Sequence, residues 1–144
     1  MIKRITYKKK ILAIIIKARS INKPGVNFIS PKNFTHQVGF INLPTKHKIK
    51  PHTHKKFRRD INKTSEVLFV RSGILRVDFY VNNKKYLFSK ILKANDLIIL
   101  NQGSHGFRVI KKCNLIEIKQ GPYYDKLDKV RFKEIDEEKI KIKK

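Results

Sequence analysis

The stretch Glu66-Val67-Leu68-Phe69-Val70-Arg71-Ser72-Gly73-Ile74-Leu75-Arg76-Val77-Asp78-Phe79-Tyr80-Val81 decides the fold class. In its second half Leu75, Val77, Phe79 and Val81 alternate with Arg76, Asp78 and Tyr80. A period of two puts one set on a buried sheet face and the other on the opposite face. Arg71-Ser72-Gly73 predicts a turn, so the stretch reads as two strands, Glu66 to Val70 and Ile74 to Val81. Asn82-Asn83 predicts the next hairpin, because asparagine tolerates positive φ.

The same grammar continues downstream. Tyr86 to Leu92 reads as the return strand, and Lys93-Ala94-Asn95-Asp96 as a turn. Leu97 to Leu100 is a short strand, apolar throughout. Asn101-Gln102-Gly103-Ser104 turns into a strand from His105 to Ile110, and Lys111-Lys112-Cys113-Asn114 turns again into Leu115 to Lys119. Upstream, residues 10–17 form a β-branched run that reads as a strand. Asn22-Lys23-Pro24-Gly25 predicts a turn, followed by strands at Val26 to Ile29 and His36 to Leu43. Residues 1–9 read as a basic lead-in. Lys46 to His54 reads as extended and polar, with Pro51 at an edge or strand entrance, and Lys55 to Lys63 as a charged connection. Many short strands at near-regular spacing predict an all-β sandwich or barrel. The 144 residues suit one domain. Residues 1–122 are expected to form it, with 123–144 a charged tail or a loosely docked helix.

Several function classes drop out. The single Cys113 allows no disulfide framework and no cysteine zinc site; its neighbours suggest an incidental thiol, and the composition fits a cytoplasmic protein. No window reaches the roughly eighteen consecutive apolar residues of a membrane span, so no membrane partner is expected. Lys8-Lys9-Lys10 before Ile11 to Ile16 imitates a signal peptide, but the apolar run is short and lacks a cleavage site, so it reads as a buried strand. No phosphate-binding glycine loop, dinucleotide fingerprint or nucleophile elbow is present. The net charge of +24 attracts anions. Lysine far outnumbers arginine, and isoleucine and asparagine are abundant, as AT-rich coding bias produces. Nucleic-acid readers lean on arginine, so nucleic acid is the least favoured partner and a small anionic molecule the favoured one.

The chemistry-bearing residues are His52 and His54, Glu66 and His105. Two histidines one residue apart on a strand share a face, and a carboxylate and a third histidine from neighbouring strands complete a metal-ligand set. Three nitrogens and one oxygen suit Fe, Ni, Mn, Cu or Zn. Lys55, Lys56, Arg58 and Arg59 follow the histidine pair and are placed to hold an anionic substrate. Gln37 and Tyr80 are further candidate substrate contacts, His36 is a candidate for the barrel mouth, and His47 reads as solvated.

These residues resemble the cupin superfamily. Its first motif is His-x-His, then Glu, then Gly seven residues later, here His52, His54, Glu66 and Gly73. Its second motif is a Gly-Asp turn, an apolar strand, a Pro-x-Gly turn and a His, here Asn95-Asp96, Leu97 to Leu100, Asn101-Gln102-Gly103 and His105. The likeness covers roughly residues 36–122 and is nearest to small single-domain bacterial cupins. Three departures stand out: a long gap from His54 to Glu66, Asn95 and Asn101 in place of Gly and Pro, and His105 one residue early. A one-residue slip flips a side chain across a sheet unless a turn absorbs it, and the Gly103 turn is expected to do so.

The resemblance implies a double-stranded β-helix, the jelly-roll cupin barrel, paired as a homodimer through edge strands. It implies a divalent transition metal on His52, His54, Glu66 and His105. The implied function is metal-dependent isomerisation or epimerisation of an anionic sugar or sugar-nucleotide derivative, in carbohydrate metabolism. The alternatives are a non-catalytic metal or small-ligand binding module, an Fe(II)-dependent dioxygenase and, last, a basic nucleic-acid-binding protein.

Overall fold

The computed structural model describes residues 1–18, 23–81, 84–124 and 128–144. Asn22 of the first predicted turn and the hairpin residues Asn82 and Asn83 lie outside them. The described chain is nearly all β. Its strands are β1 (Ile2–Tyr7), β2 (Lys10–Ile16), β3 (Gly25–Phe28), β4 (Gly39–Asn42), β5 (Glu66–Tyr80), β6 (Tyr86–Lys93), β7 (Leu97–Leu100) and β8 (Ser104–Lys119), followed by a 3₁₀ turn at Glu137–Lys139. The main sheet runs β1-β2-β7-β5-β6, with β8 on the other side of β5, and β3 and β4 form a separate two-stranded sheet.

The main sheet curls into a half-barrel around β5. The first residues of β5, Glu66 to Phe69, pair with β7, and Ile74 to Tyr80 pair with β6, while β8 follows β5 along almost its whole length. Here the strand boundaries differ from the sequence reading. Arg71-Ser72-Gly73 and Lys111-Lys112-Cys113-Asn114, both read as turns, lie opposite each other in one continuous antiparallel ribbon. They form its shared bend, with the register shifting at Val70/Ser72, Ser72/Ile74 and Ile74/Leu75. Gly73 has φ +92°, and a Cβ on it would lie 2.2 Å from the Lys112 carbonyl oxygen. Only glycine permits that backbone approach. The basic lead-in also proves to be a strand, β1, whose Ile2 to Tyr7 pair with β2 despite their charge.

Two apolar clusters hold the curl. Inside it lie Leu12, Ala13 and Ile15 of β2, Leu68, Val70, Leu75, Val77 and Phe79 of β5, Leu92 of β6, and Ile98 and Leu100 of β7. On the outer face Ile14, Ile16, Val67 and Ile99 pack with Phe34, and Val38 and Phe40 close over them. So β2 and β7 are covered on both faces, which is why they read as unbroken apolar runs. Asn95 takes the left-handed conformation at φ +68° in the turn before β7, as asparagine in place of glycine allows. No helix among the described residues is long and apolar enough to cross a membrane.

Candidate functional site

Glu66 opens β5 in phase with Leu68 and Val70, whose side chains lie in the inner cluster, so its carboxylate faces inward. His105 lies in β8 opposite Phe79, another inner-cluster residue. The turn between β7 and β8 brings the two together: His105 Nε2–H donates to Glu66 Oε2 at 2.9 Å. Gly103, at φ +81°, absorbs the residue by which His105 arrives early. The hydrogen bond from His105 holds the Glu66 carboxyl below its ordinary range, outweighing the burial that pushes it up.

The turn is riveted to β2. Asn101 N–H and Gln102 N–H donate to the Leu12 carbonyl at 2.8 and 3.3 Å. The side-chain amides of Asn101 and Gln102 donate to the Ile11 carbonyl at 3.3 and 3.0 Å. Asparagine in place of the motif's proline thus keeps a donor that proline lacks.

Glu66 and His105 line a cavity of about 480 Å³ at the end of the curl. Thr64, Tyr80, Gln102, Ser104, Phe107 and Lys119 also line it. So do Asp128, Lys129, Val130, Arg131, Phe132 and Glu134 from a strap that follows β8. Three carboxylates face three cations there, so the lining is electrically balanced within a strongly basic chain. The Phe132 ring meets Tyr80 edge-on at 5.1 Å, and Ile135 N–H donates to Tyr80 Oη at 3.1 Å. Burial pushes the Tyr80 phenol up. Lys119 Nζ reaches Asp128 at 3.2 Å.

Farther along, the strap is pinned to the outer face of β5 and β6. Arg76 makes a two-pronged pair with Glu137, at 2.6 and 3.0 Å, while bonding Asp78 at 2.8 and 3.1 Å. Arg76 and Asp78 are buried. Ser89 Oγ donates to Asp78, and Ile142 forms a bridge with Ser89. The tail expected at 123–144 is therefore, over residues 128–144, a docked extended segment with one 3₁₀ turn. No apolar periodicity announced it, because its anchors are an ion pair, one ring contact and scattered backbone bonds.

The remaining sequence-predicted residues lie elsewhere. Residues 43–65 carry no strand, so the expectation of an edge-like strand through the histidine pair is corrected. His52 and His54 are exposed, their rings 5.2 Å apart, and His52 Nδ1 is bonded to the Lys50 carbonyl. The four donors stand as two separate pairs. Among the described residues no cluster of three or more His, Cys, Asp or Glu side chains is placed to hold a metal ion. The donor types suit a borderline divalent ion, but this arrangement assembles no centre for one. Lys55, Lys56, Arg58 and Arg59 are exposed; Arg58 pairs with Asp60 and Arg59 lies over the Phe57 ring. Gln37 spends its amide on the Pro31 and Phe34 carbonyls. His36 bonds Ser65 Oγ at 2.8 Å beside Thr35 and Gln120. That polar knot braces the backbone immediately before Glu66, since Ser65 N–H donates to Gln120 Oε1 at 2.9 Å.

No protein-family model matches the sequence, and no curated protein or solved structure is found to be similar to it.

Proposed function

We propose that the chain acts on a small anionic metabolite of the sugar or sugar-nucleotide type, moving a proton on it in an isomerisation or epimerisation at the Glu66–His105 cavity. The observation that carries this reading is the 2.9 Å carboxylate–imidazole pair on the wall of that cavity. By accepting the Nε2–H, the Glu66 carboxylate fixes the His105 tautomer, so the other imidazole nitrogen is the one that accepts a proton and passes it on. Tyr80, Gln102, Ser104 and Thr64 supply the mixed donors and acceptors that hydroxyl groups require. The rings of Phe107 and Phe132 supply apolar surface for the C–H faces of a sugar. The cupin resemblance of Glu66, Gly73 and His105 supports the same reading, and with it the proposal that the curled sheet is a jelly roll of that superfamily.

The test is deuterium wash-in from D₂O, followed by NMR on hexose phosphates and nucleotide-linked hexoses. Wild-type protein is expected to exchange one carbon-bound proton. Glu66→Gln and His105→Asn are each expected to slow that exchange about a hundredfold or more. Exchange that survives both changes at full rate, or none with wild-type protein across the panel, sinks the reading.

A second reading is favoured by the proximity of the His52 and His54 rings. Here His52, His54, Glu66 and His105 would hold a divalent Fe, Ni, Mn, Cu or Zn ion if the exposed segment folded over the cavity. A bound ion supplies Lewis acidity. Elemental analysis after exposure to Fe, Ni, Mn and Zn decides it: equal metal in wild-type protein and the His52→Ala/His54→Ala variant removes it.

We also assign a homodimer through β8. Among the described residues that strand pairs only with β5, and Phe107, Val109, Ile116 and Ile118 are exposed along it. A long open edge with apolar side chains invites a second copy. Sedimentation is expected to give a dimer that Val109→Lys converts to monomer; a wild-type monomer rejects the assignment.

A further inference from the structure

A second cavity, of about 390 Å³, lies on the far side of the turn that carries His105. Its lining includes Lys8, Lys10 and Lys85, with Tyr7 beside them and Leu12 and Val81 as an apolar floor. Among the described residues no carboxylate lines it. Gln102 and Gly103 line both cavities, so this one turn is the wall between them.

The cations come from two different hairpins, and the first is formed at a cost. Tyr7 and Lys10 are paired across a two-residue connection, Lys8-Lys9. Both residues have positive φ, 45° and 63°. That is the conformation of a primed hairpin turn, which asparagine and glycine adopt readily and lysine does not. Lys84, next to Lys85 in the other hairpin, is also left-handed, at φ 63°. The three lining lysines bring like charge to one cavity, and none has a carboxylate partner among the described residues; Lys8 only lies over the Tyr7 ring at 5.7 Å. Local preference and local charge both oppose this arrangement, and such conflicts cluster where a ligand resolves them. An anion resolves this one. Three ammonium groups over an apolar floor suit a phosphoryl group, which lysine binds as a point charge.

We propose that the second cavity is a phosphate subsite. The metabolite taken at Glu66–His105 is then a phosphate ester whose acid group lies beyond the Gln102–Gly103 turn. Two residues, about 7 Å of extended backbone, separate Gly103 from His105, close to the reach of a sugar ring and its phosphate. The assignment of the sugar to the first cavity rests on the proposed function; the phosphate subsite itself rests on the lysines.

Calorimetric titration with inorganic pyrophosphate at low ionic strength tests the subsite. Wild-type protein is expected to bind it saturably, and a Lys8→Ala/Lys10→Ala/Lys85→Ala variant about tenfold or more weakly. A control variant, Lys23→Ala/Lys32→Ala/Lys48→Ala, removes the same charge from exposed positions and is expected to stay within about twofold. Equal loss in both variants makes the effect one of net charge and overturns the proposal, as does the absence of wild-type binding. Pyrophosphate is also expected to shift the backbone amide signals of Lys8, Lys85 and Gly103; shifts confined to other residues overturn it. Glucose 1-phosphate separates the two readings. If wild-type protein exchanges no carbon-bound proton of any hexose phosphate, yet binds glucose 1-phosphate and the lysine variant does not, the first-cavity reading falls and the phosphate subsite stands.

Discussion

The β5–β8 ribbon and the segment 43–65 carry two halves of one sequence motif, and they differ in what fixes a side chain. In the ribbon, Glu66 sits between Leu100 of β7 and Lys119 of β8, and His105 opposite Phe79. Each is held in register by ladder bonds and by an apolar neighbour facing the core. In the segment, Ile49, Phe57 and Ile61 are exposed, and nothing apolar anchors His52 or His54. A side chain's direction follows from sequence when a strand and a core specify the register. Spacing alone does not supply it.

The largest test of the ribbon is its bend. Gly73→Val introduces a β-branched residue at φ +92° and a Cβ within 2.2 Å of a backbone oxygen. The expected loss exceeds about 4 kcal/mol, because strain at a left-handed residue adds to a clash that no side-chain motion relieves. Urea unfolding measures it. A wild-type midpoint would mean that the bend is not shared between β5 and β8 as described.

The strap sharpens the contrast, because it too lacks apolar periodicity and yet is docked. Its anchor is Arg76, buried with Asp78 and bonded to Glu137. Arg76→Ala leaves the Asp78 carboxylate buried with only Ser89 as donor among the described residues. It is expected to cost about 3 kcal/mol by thermal unfolding and to release residues 128–144 to proteolysis. An Arg76→Met/Asp78→Leu double variant is expected to recover most of that loss, since removing both charges leaves neither unpaired. A double variant as unstable as the single one would show that the pair's charges are not what the single change disturbs.

Much of the architecture was legible before any coordinates. The alternation from Leu75 and the apolar run Leu97 to Leu100 both return in strands, with Leu75, Val77 and Phe79 buried in the core and Arg76, Asp78 and Tyr80 buried on the opposite face under the strap. The two turns at Gly73 and Lys111–Asn114 were misread because a bend shared by two strands has the same local composition as a turn; only their pairing tells them apart. Strand β1 was hidden because Lys3 and Arg4 interrupt its apolar pattern and only Ile5 is buried. Of the candidate site, the sequence separately flagged Glu66, Tyr80 and His105, which line one cavity. Lys119 and Phe132 were missed, since the ion pair with Asp128 and the ring contact with Tyr80 follow no sequence period. The second cavity was illegible for the same reason: its lysines come from hairpins more than seventy residues apart.

Acid titration probes the Glu66–His105 pair more gently. Glu66 has its folded pKa lowered from an ordinary value of 4.5. A carboxyl depressed on folding contributes stability that is present above the unfolded value and lost as pH falls through the folded one. Stability is therefore expected to decline with pH beneath 4.5 and to decline less steeply in Glu66→Gln, by about 1 kcal/mol over that window. Glu137, lowered by its bond to Arg76, titrates in the same direction, so releasing the strap accompanies the decline. Parallel curves for wild-type protein and Glu66→Gln would mean that the bond to His105 does not stabilise the fold.

The smallest expected effect belongs to the other half of the motif. His52 and His54 are exposed and touch chiefly each other and the Lys50 backbone. With chelator present, the His52→Ala/His54→Ala variant is expected to unfold within about 0.5 kcal/mol of wild-type protein, as surface changes do. A larger loss would mean that residues 43–65 are packed more tightly than their exposure implies, and the contrast with the ribbon would weaken. Added nickel then asks a different question of the same pair of proteins. If the segment folds over Glu66 and His105 to complete a four-donor site, nickel raises the wild-type midpoint and leaves the variant's unchanged, because only a ligand bound preferentially to the folded state stabilises it. If the midpoints stay together, the histidine pair is a surface feature, and the cavity's chemistry belongs to the ribbon.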